Sequence, residues 1–236
     1  MKWVVYSHTD YLDVLEVFTD YAKTITNKVL LVNGPVPETI RKAYDDIIYY
    51  DDKLPYASRL LELKQLPDKY ILFTHDIDIV LYRDDPALEI VQEYMEKFDF
   101  DRVDLKPSGS EKPNGSLDRI TDPLDYPYNV NPSIWKLETF MKIMSDWQNE
   151  TYRTIEGLPV QHDCLKYEIY RPVSTSSVSC GYFKCLPWYQ FLHITHHGKF
   201  MPPCNEHMDQ EIAKIYTDIC VKYLNKSKRE FRKSMW

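Results

Sequence analysis

The chain has 236 residues, enough for one large α/β domain with a well-buried core, or at most a domain with a small lobe, and a single domain over 1–236 is the simpler expectation. With 44% hydrophobic and 28% charged residues its composition is that of a globular protein, which excludes wholesale disorder. A formal net charge of −7 removes any global electrostatic case for nucleic acid as a partner, and no apolar run approaches the roughly 20 residues that span a bilayer, so a cytoplasmic protein is expected.

The first hundred residues alternate strand-like and helix-like segments, the pattern of helices packed on a mostly parallel sheet. Trp3 to Ser7 predicts a strand, and Leu12, Leu15, Phe18 and Ala22 recur at helical spacing between Tyr11 and Ile25. A second strand over Lys28 to Val32 ends at the turn signal Asn33-Gly34-Pro35, and a short helix fits Pro37 to Tyr44. Ile47 to Tyr50 is the third strand, Leu54 to Leu66 a helix, and Tyr70 to Thr74 the fourth strand. Ile79 to Tyr82 continues extended, and Asp85-Pro86 starts a helix that runs through Lys97.

Further on, residues 107–118 read as a loop, and Tyr128-Asn129-Val130 as a strand followed by a helix that Pro132 initiates. The region from Gly157 to Cys204 is aromatic and irregular in pattern. A last helix is expected from Met208 to about Tyr223, ending in the cations Lys226, Lys228, Arg229, Arg232 and Lys233, which read most simply as a solvated helix end. A weaker alternative is contact of this basic tail with an anionic membrane through Phe231 and Trp236. The five cysteines, Cys164, Cys180, Cys185, Cys204 and Cys220, are odd in number and form no C-x-x-C pair, so reduced thiols are expected.

In open parallel sheets ligands bind outside the carboxyl ends of the strands. The loops Ser7-His8-Thr9-Asp10, Asp51-Asp52-Lys53 and His75-Asp76-Ile77-Asp78 should therefore share one crevice. The last of these is the most informative, because a buried strand that releases two carboxylates two residues apart suits a hard divalent cation and the phosphates it carries. A second copy of the pattern, Asp99-Phe100-Asp101, follows a helix and precedes a strand, at the opposite edge from ligand sites, and reads as a solvated turn.

The stretch Leu54 to Tyr82, with an Arg-bearing helix leading into a strand and D-x-D, resembles the corresponding segment of GT-A glycosyltransferases. Tyr128-Asn129-Val130-Asn131-Pro132-Ser133-Ile134-Trp135-Lys136 is similar to the acceptor-side strand and helix of capsular-polysaccharide and large-DNA-virus members of that superfamily. With the opening Val4-Val5-Tyr6-Ser7-His8-Thr9-Asp10 the resemblance covers roughly residues 1 to 145, and the last third matches only loosely. It implies a GT-A-like α/β fold with a Rossmann-like nucleotide-sugar-binding half over 1–105 and an acceptor-side half over 106–236. It also implies Mn²⁺ or Mg²⁺, a nucleotide diphosphate sugar donor with a uridine base, and a glycan or glycoprotein acceptor.

Residue by residue, the resemblance implies Asp78 as direct metal ligand and Asp76 shared between metal and ribose. Thr9 and Asp10 would face base or ribose, Asp52 and Lys53 would line the base pocket, and Arg59 would meet pyrophosphate or nucleoside. A late His completes the metal shell in many such enzymes, which singles out His196 or His197, with Lys199 as a phosphate contact. An inverting transferase needs a general base, for which Glu156 is the first candidate and Asp163 the second. Trp135 and Trp188 are candidates for stacking on sugar, with core packing the stronger expectation for Trp135. Two other readings stand beside this one: a metal-dependent phosphohydrolase, since His75-Asp76 spells an HD pair, and a nucleotide-sugar- or glycan-binding protein without turnover.

Overall fold

The computed structural model describes residues 1–108, 115–174, 176–196, 198–201 and 208–231. Its first elements are β1 (Lys2–Tyr6), α1 (Leu12–Tyr21), β2 (Lys28–Val32), α2 (Glu38–Arg41), β3 (Asp46–Tyr49), α3 (Tyr56–Leu60) and β4 (Tyr70–His75). They continue with β5 (Asp78–Arg83), α4 (Asp85–Phe98), β6 (Arg102–Asp104), β7 (Leu117–Arg119), β8 (Ser133–Lys136), α5 (Leu137–Asp146), α6 (Leu158–Cys164) and β9 (Ile169–Pro172). The last are β10 (Val178–Ser179), β11 (Lys184–Cys185), β12 (Tyr189–His193), β13 (Thr195–His196), β14 (Lys199–Phe200) and α7 (Gln210–Lys222).

The central sheet runs β3-β2-β1-β4-β8-β6-β9-β7. β3, β2, β1 and β4 are mutually parallel; β2, β1 and β4 are apolar and buried on both faces, as strands inside a parallel sheet should be, and β3 is the edge. β8 lies antiparallel between β4 and β6, and β9 returns parallel to β6. Side chains alternate across this sheet into two cores: Trp3, Val5, Leu30, Val32 and Leu72 pack with α1, α4 and α7, whereas Val4, Val29, Leu31, Ile71 and Phe73 pack with α3, α5 and α6. The result is a mostly parallel sheet flanked by helices, as expected from the alternating sequence. Among the described residues no helix is long and apolar enough to cross a membrane.

Four expectations need correction. Tyr128-Asn129-Val130 is not a strand, because the Gln161 side chain stands in for a neighbouring strand: Tyr128 N–H donates to Gln161 Oε1 at 2.9 Å and Gln161 Nε2 donates to the Tyr128 carbonyl at 2.8 Å. Pro132 initiates no helix. Ile134 and Trp135 are instead adjacent strand residues buried on opposite faces, Ile134 in one core and Trp135 in the other, and α5 starts only at Leu137. Trp135 is fully buried, with Phe140 and the Arg102 guanidinium against its ring, which removes it as a sugar-stacking residue. The basic tail is also no simple solvated helix end. After α7 and a short 3-10 turn over Leu224–Lys226, residues 227–231 fold back onto the body of the protein, and Phe231 packs on Phe200. Arg232, Lys233 and Trp236 lie outside the described residues, as does Cys204, while Cys164, Cys180, Cys185 and Cys220 are free thiols.

Candidate active site

The loops after β1, β3 and β4 meet at the carboxyl ends of the parallel strands. Asp76 N–H donates to the Tyr6 carbonyl at 3.0 Å, Ser7 N–H to the Leu31 carbonyl at 2.9 Å, and the Tyr50 hydroxyl to the Ser7 carbonyl at 2.8 Å. Ser7 Oγ donates to Asp76 Oδ2 at 2.5 Å, which fixes the first carboxylate of the D-x-D to the end of β1. Asn33, in the turn after β2, accepts from Thr9 N–H at 2.7 Å, and His8 Nε2 lies 3.0 Å from Asp52 Oδ1.

Asp76 and Asp78 are both buried, at 4% and 1% exposure. Burial pushes the Asp76 carboxyl up to about 8, and the neighbouring Asp78 adds to the shift; the Ser7 hydrogen bond and the more distant Arg229 offset part of it. A buried carboxylate so poorly compensated is a group whose charge a cation would stabilise. Asp78 opens β5, whose antiparallel partner is β12, and the register sets His193 directly opposite it. His193 Nδ1 lies 2.7 Å from Asp78 Oδ1.

The late imidazole beside the acidic pair is therefore His193. His196 is one step removed, its ring 6.1 Å from that of His193 and 5.8 Å from that of Tyr182, and His197 lies outside the described residues. His193 stood in the same His-rich segment, and the cue was the alternation of Tyr189, Phe191 and His193, which puts it on one face of a strand. Among the described residues no group of three or more His, Cys, Asp or Glu is gathered for a metal. Two carboxylates and an imidazole contact are nevertheless a donor set that suits Mn²⁺ or Mg²⁺, cations that commonly take one or two carboxylates and fill the other positions with water and substrate phosphate. His75 is turned elsewhere: its Nε2 lies 2.7 Å from the Tyr56 hydroxyl, and burial, with the His193 charge, holds the ring down at about 3.

Arg59 borders the crevice but is engaged within the protein, with Nη1 3.0 Å from Asp52 Oδ1, Nη2 donating to the Asp52 carbonyl at 2.6 Å and Nε to the Leu54 carbonyl at 2.7 Å. Its guanidinium carbon lies 5.3 Å from the centre of the Tyr50 ring, which stacks on Tyr6 with ring centroids 5.3 Å apart. Tyr6 and Tyr50 are themselves buried, at 8% and 4% exposure, so their stack backs Arg59 and Asp52 from the core side. Lys53 is exposed, its N–H closing a turn on Asp51 Oδ1 at 2.9 Å. Asp10 is open to solvent, 82% exposed, on the short 3-10 turn that Thr9 begins. Lys199 reaches Glu230 at 2.6 Å.

On the other side, Glu156 is half-buried, its Oε1 accepting from Val130 N–H at 2.8 Å. Burial raises its carboxyl above the usual range against the pull of that hydrogen bond, Lys106 and Arg102. Burial, Glu156, Asp78 and Asp76 all push the Tyr152 phenol up, and its ring lies 5.7 Å from His75 and 5.3 Å from Tyr56. It is 43% exposed, an aromatic face at the crevice that the sequence did not single out. Asp163 sits on α6 and is held by Trp147 Nε1 at 3.1 Å and Lys166 Nζ at 2.7 Å; burial works to raise its pKa, but these donors outweigh it and lower it. Trp188 packs partly buried against the core beside α4. In the second D-x-D, Asp99 is the left-handed cap of α4 and pairs with Lys136, while Asp101 accepts from Glu168 N–H and Thr139, so both are used in structure.

No protein family matches the chain, and no curated protein does. Among solved structures it is similar to S. aureus TarS 1-349 in complex with UDP-GlcNAc, at 14% identity over 98% of this chain and 68% of that one, with a TM-score of 0.48. An active-site mutant of LgtC is similar at 13% identity over 72% of each chain, TM-score 0.47, and a cytidylyltransferase from Leptospira borgpetersenii at 11% identity over 74% and 76%, TM-score 0.45. Against another structure of TarS 1-349 the chain spans 60% of that segment's length. Likenesses this distant assign neither a family nor an activity to the chain.

Proposed function

We propose that the chain is a GT-A-type glycosyltransferase that moves a sugar from a nucleotide diphosphate sugar, with uridine as the base, to a hydroxyl of a glycan or glycoprotein. The observation that carries the reading is the buried pair Asp76 and Asp78 at the carboxyl end of a parallel strand, Asp76 short of compensating charge, with polar loops from β1 and β3 closing on it. Mn²⁺ or Mg²⁺ held by Asp76 and Asp78 would supply countercharge to the diphosphate. His193 keeps Asp78 oriented, and Ser7 keeps Asp76 in place. Arg59 and Asp52, backed by the buried stack of Tyr6 and Tyr50, line the side for the nucleoside.

In an inverting transfer the acceptor oxygen forms its bond to the anomeric carbon as the bond from that carbon to the diphosphate oxygen breaks. The acceptor proton goes to Glu156, whose raised proton affinity suits a base. Tyr152, packed beside His75 and half exposed, offers the sugar an aromatic face. Asp78→Ala is expected to abolish manganese-dependent UDP binding in calorimetry while the fold survives by circular dichroism. Unchanged UDP affinity in manganese would overturn the assignment.

A further inference from the structure

The segment that follows α7 returns across the chain and lands on the crevice. Arg229 is its centre. Nε donates to Asp13 Oδ1 and Oδ2 at 3.1 and 2.9 Å, Nη1 to the Gly198 carbonyl at 3.3 Å, and Nη2 to the Asp10 carbonyl. Its guanidinium lies 4.0 Å from the centre of the Tyr11 ring. Ser227 Oγ adds a bond to Asp13 Oδ2 at 2.5 Å, and Phe200 N–H donates to the Glu230 carbonyl at 2.9 Å.

One residue thus ties together three pieces of chain: the turn Thr9–Tyr11 after β1, the start of α1, and the β13–β14 turn at Gly198. Gly198 has φ of 76°, and a Cβ there would meet the Tyr11 hydroxyl at 3.4 Å, so the two turns already touch. A guanidinium can hold two carbonyls and a carboxylate in one plane while stacking on a ring; an ammonium cannot do so with the same geometry. Arg229 is 17% exposed, so this is a seated group and no loose surface pair. Its charge is also among those that act on Asp76.

We infer that Ser227–Phe231 is a strap over the donor side of the crevice and that Arg229 is a positioning residue, holding the Thr9–Tyr11 turn and the Gly198 turn in the arrangement that binds a nucleoside diphosphate. The inference rests on the functional reading above. Arg229 touches no reacting atom in this scheme. It acts through the backbone of Asp10 and Gly198 and through Tyr11.

The test compares the parent with Arg229→Gln, Arg229→Lys and, from the other side of the ion pair, Asp13→Asn, each titrated with UDP in manganese by calorimetry at a temperature where its melting curve shows it folded. Arg229→Gln and Asp13→Asn are expected to lose about tenfold in UDP affinity. Arg229→Lys should recover little of it, and donor KM should rise with kcat nearly unchanged. A merely structural residue would lower the melting midpoint and leave the affinity of the folded fraction alone. If Arg229→Gln does not fold, Asp13→Asn decides the matter. UDP affinity within twofold of a parent that itself binds UDP overturns the strap while leaving the transferase reading intact. A parent that does not bind UDP in manganese overturns both.

Discussion

Asp76 and Asp104 are two buried carboxylates that the same chain treats in opposite ways. Asp104 ends β6 with Arg102, Lys106 and Arg171 around it: burial works to raise its carboxyl, but the cations outweigh it and hold it at about 2. Asn129 Nδ2 donates to it at 3.0 Å and Arg171 Nη2 at 3.2 Å. Asp76 has a hydroxyl and a more distant guanidinium instead, and rises to about 8. The first is a structural carboxylate surrounded by cations, and the second is a site that still lacks positive charge. Asp104→Asn should therefore destabilise the protein by about 3–5 kcal/mol in urea unfolding, since it leaves the fully buried Arg102 with less compensation. The pH dependence follows from the sign of the shift. The folded pKa lies below the ordinary 3.8, so the Asp104 contribution is complete above about pH 4 and is lost as pH falls through about 2. The acid limb of the parent's stability curve should flatten in Asp104→Asn over that window, and a variant as stable as the parent at neutral pH would contradict this account.

At the scale of elements, what could be read from the sequence follows how each backbone segment satisfies its hydrogen bonds. β2 carries the apolar run Val29–Val32 and lies where the pattern puts it, Lys28–Val32, because a strand buried on both faces has only other strands to pair with. α1 stops at Tyr21, earlier than its apolar spacing predicts, because the buried Lys28 ammonium reaches back to the Ala22 and Ile25 carbonyls and Asn27 turns the chain at φ 64°. Neither partner is visible from within the helix. The site divides in the same way. The D-x-D was legible because its chemistry is local to one strand end, whereas His193 comes within reach of Asp78 only through the β5–β12 register, a pairing 115 residues apart. Tyr128 is the clearest case, since its strand-like sequence is satisfied by a side-chain amide from α6. Gln161→Leu removes that amide and strands a buried N–H and carbonyl, at a cost of about 1–3 kcal/mol for each group left unpaired. Chemical denaturation should show the loss in the midpoint with the m-value unchanged. A shift under half a kcal/mol would mean that water or a local rearrangement replaces the amide.

Across the whole molecule the segment around and after the end of α7 is fastened along α1, at both of that helix's ends. Lys222 Nζ reaches Asp20 Oδ2 at 2.7 Å, the Tyr223 hydroxyl donates to the same carboxylate, and Arg229 and Ser227 hold Asp13. Three of these partners lie past α7 and all of their acceptors lie on α1, so α1 takes its position both from the sheet beneath it and from the C-terminal return. β1, β2 and β4 form the middle of the sheet between the two cores and should exchange their amides only through global unfolding. The crevice loops and the strap belong to the less protected class, and a ligand that orders one should order the other if they share contacts. Hydrogen exchange with and without UDP and manganese tests this directly. Amides of 9–13, 76–78 and 227–231 are expected to slow together, with β1 and β4 unchanged. Slowing confined to 76–78 would show that the return is fastened to α1 for stability alone and takes no part in shaping the crevice.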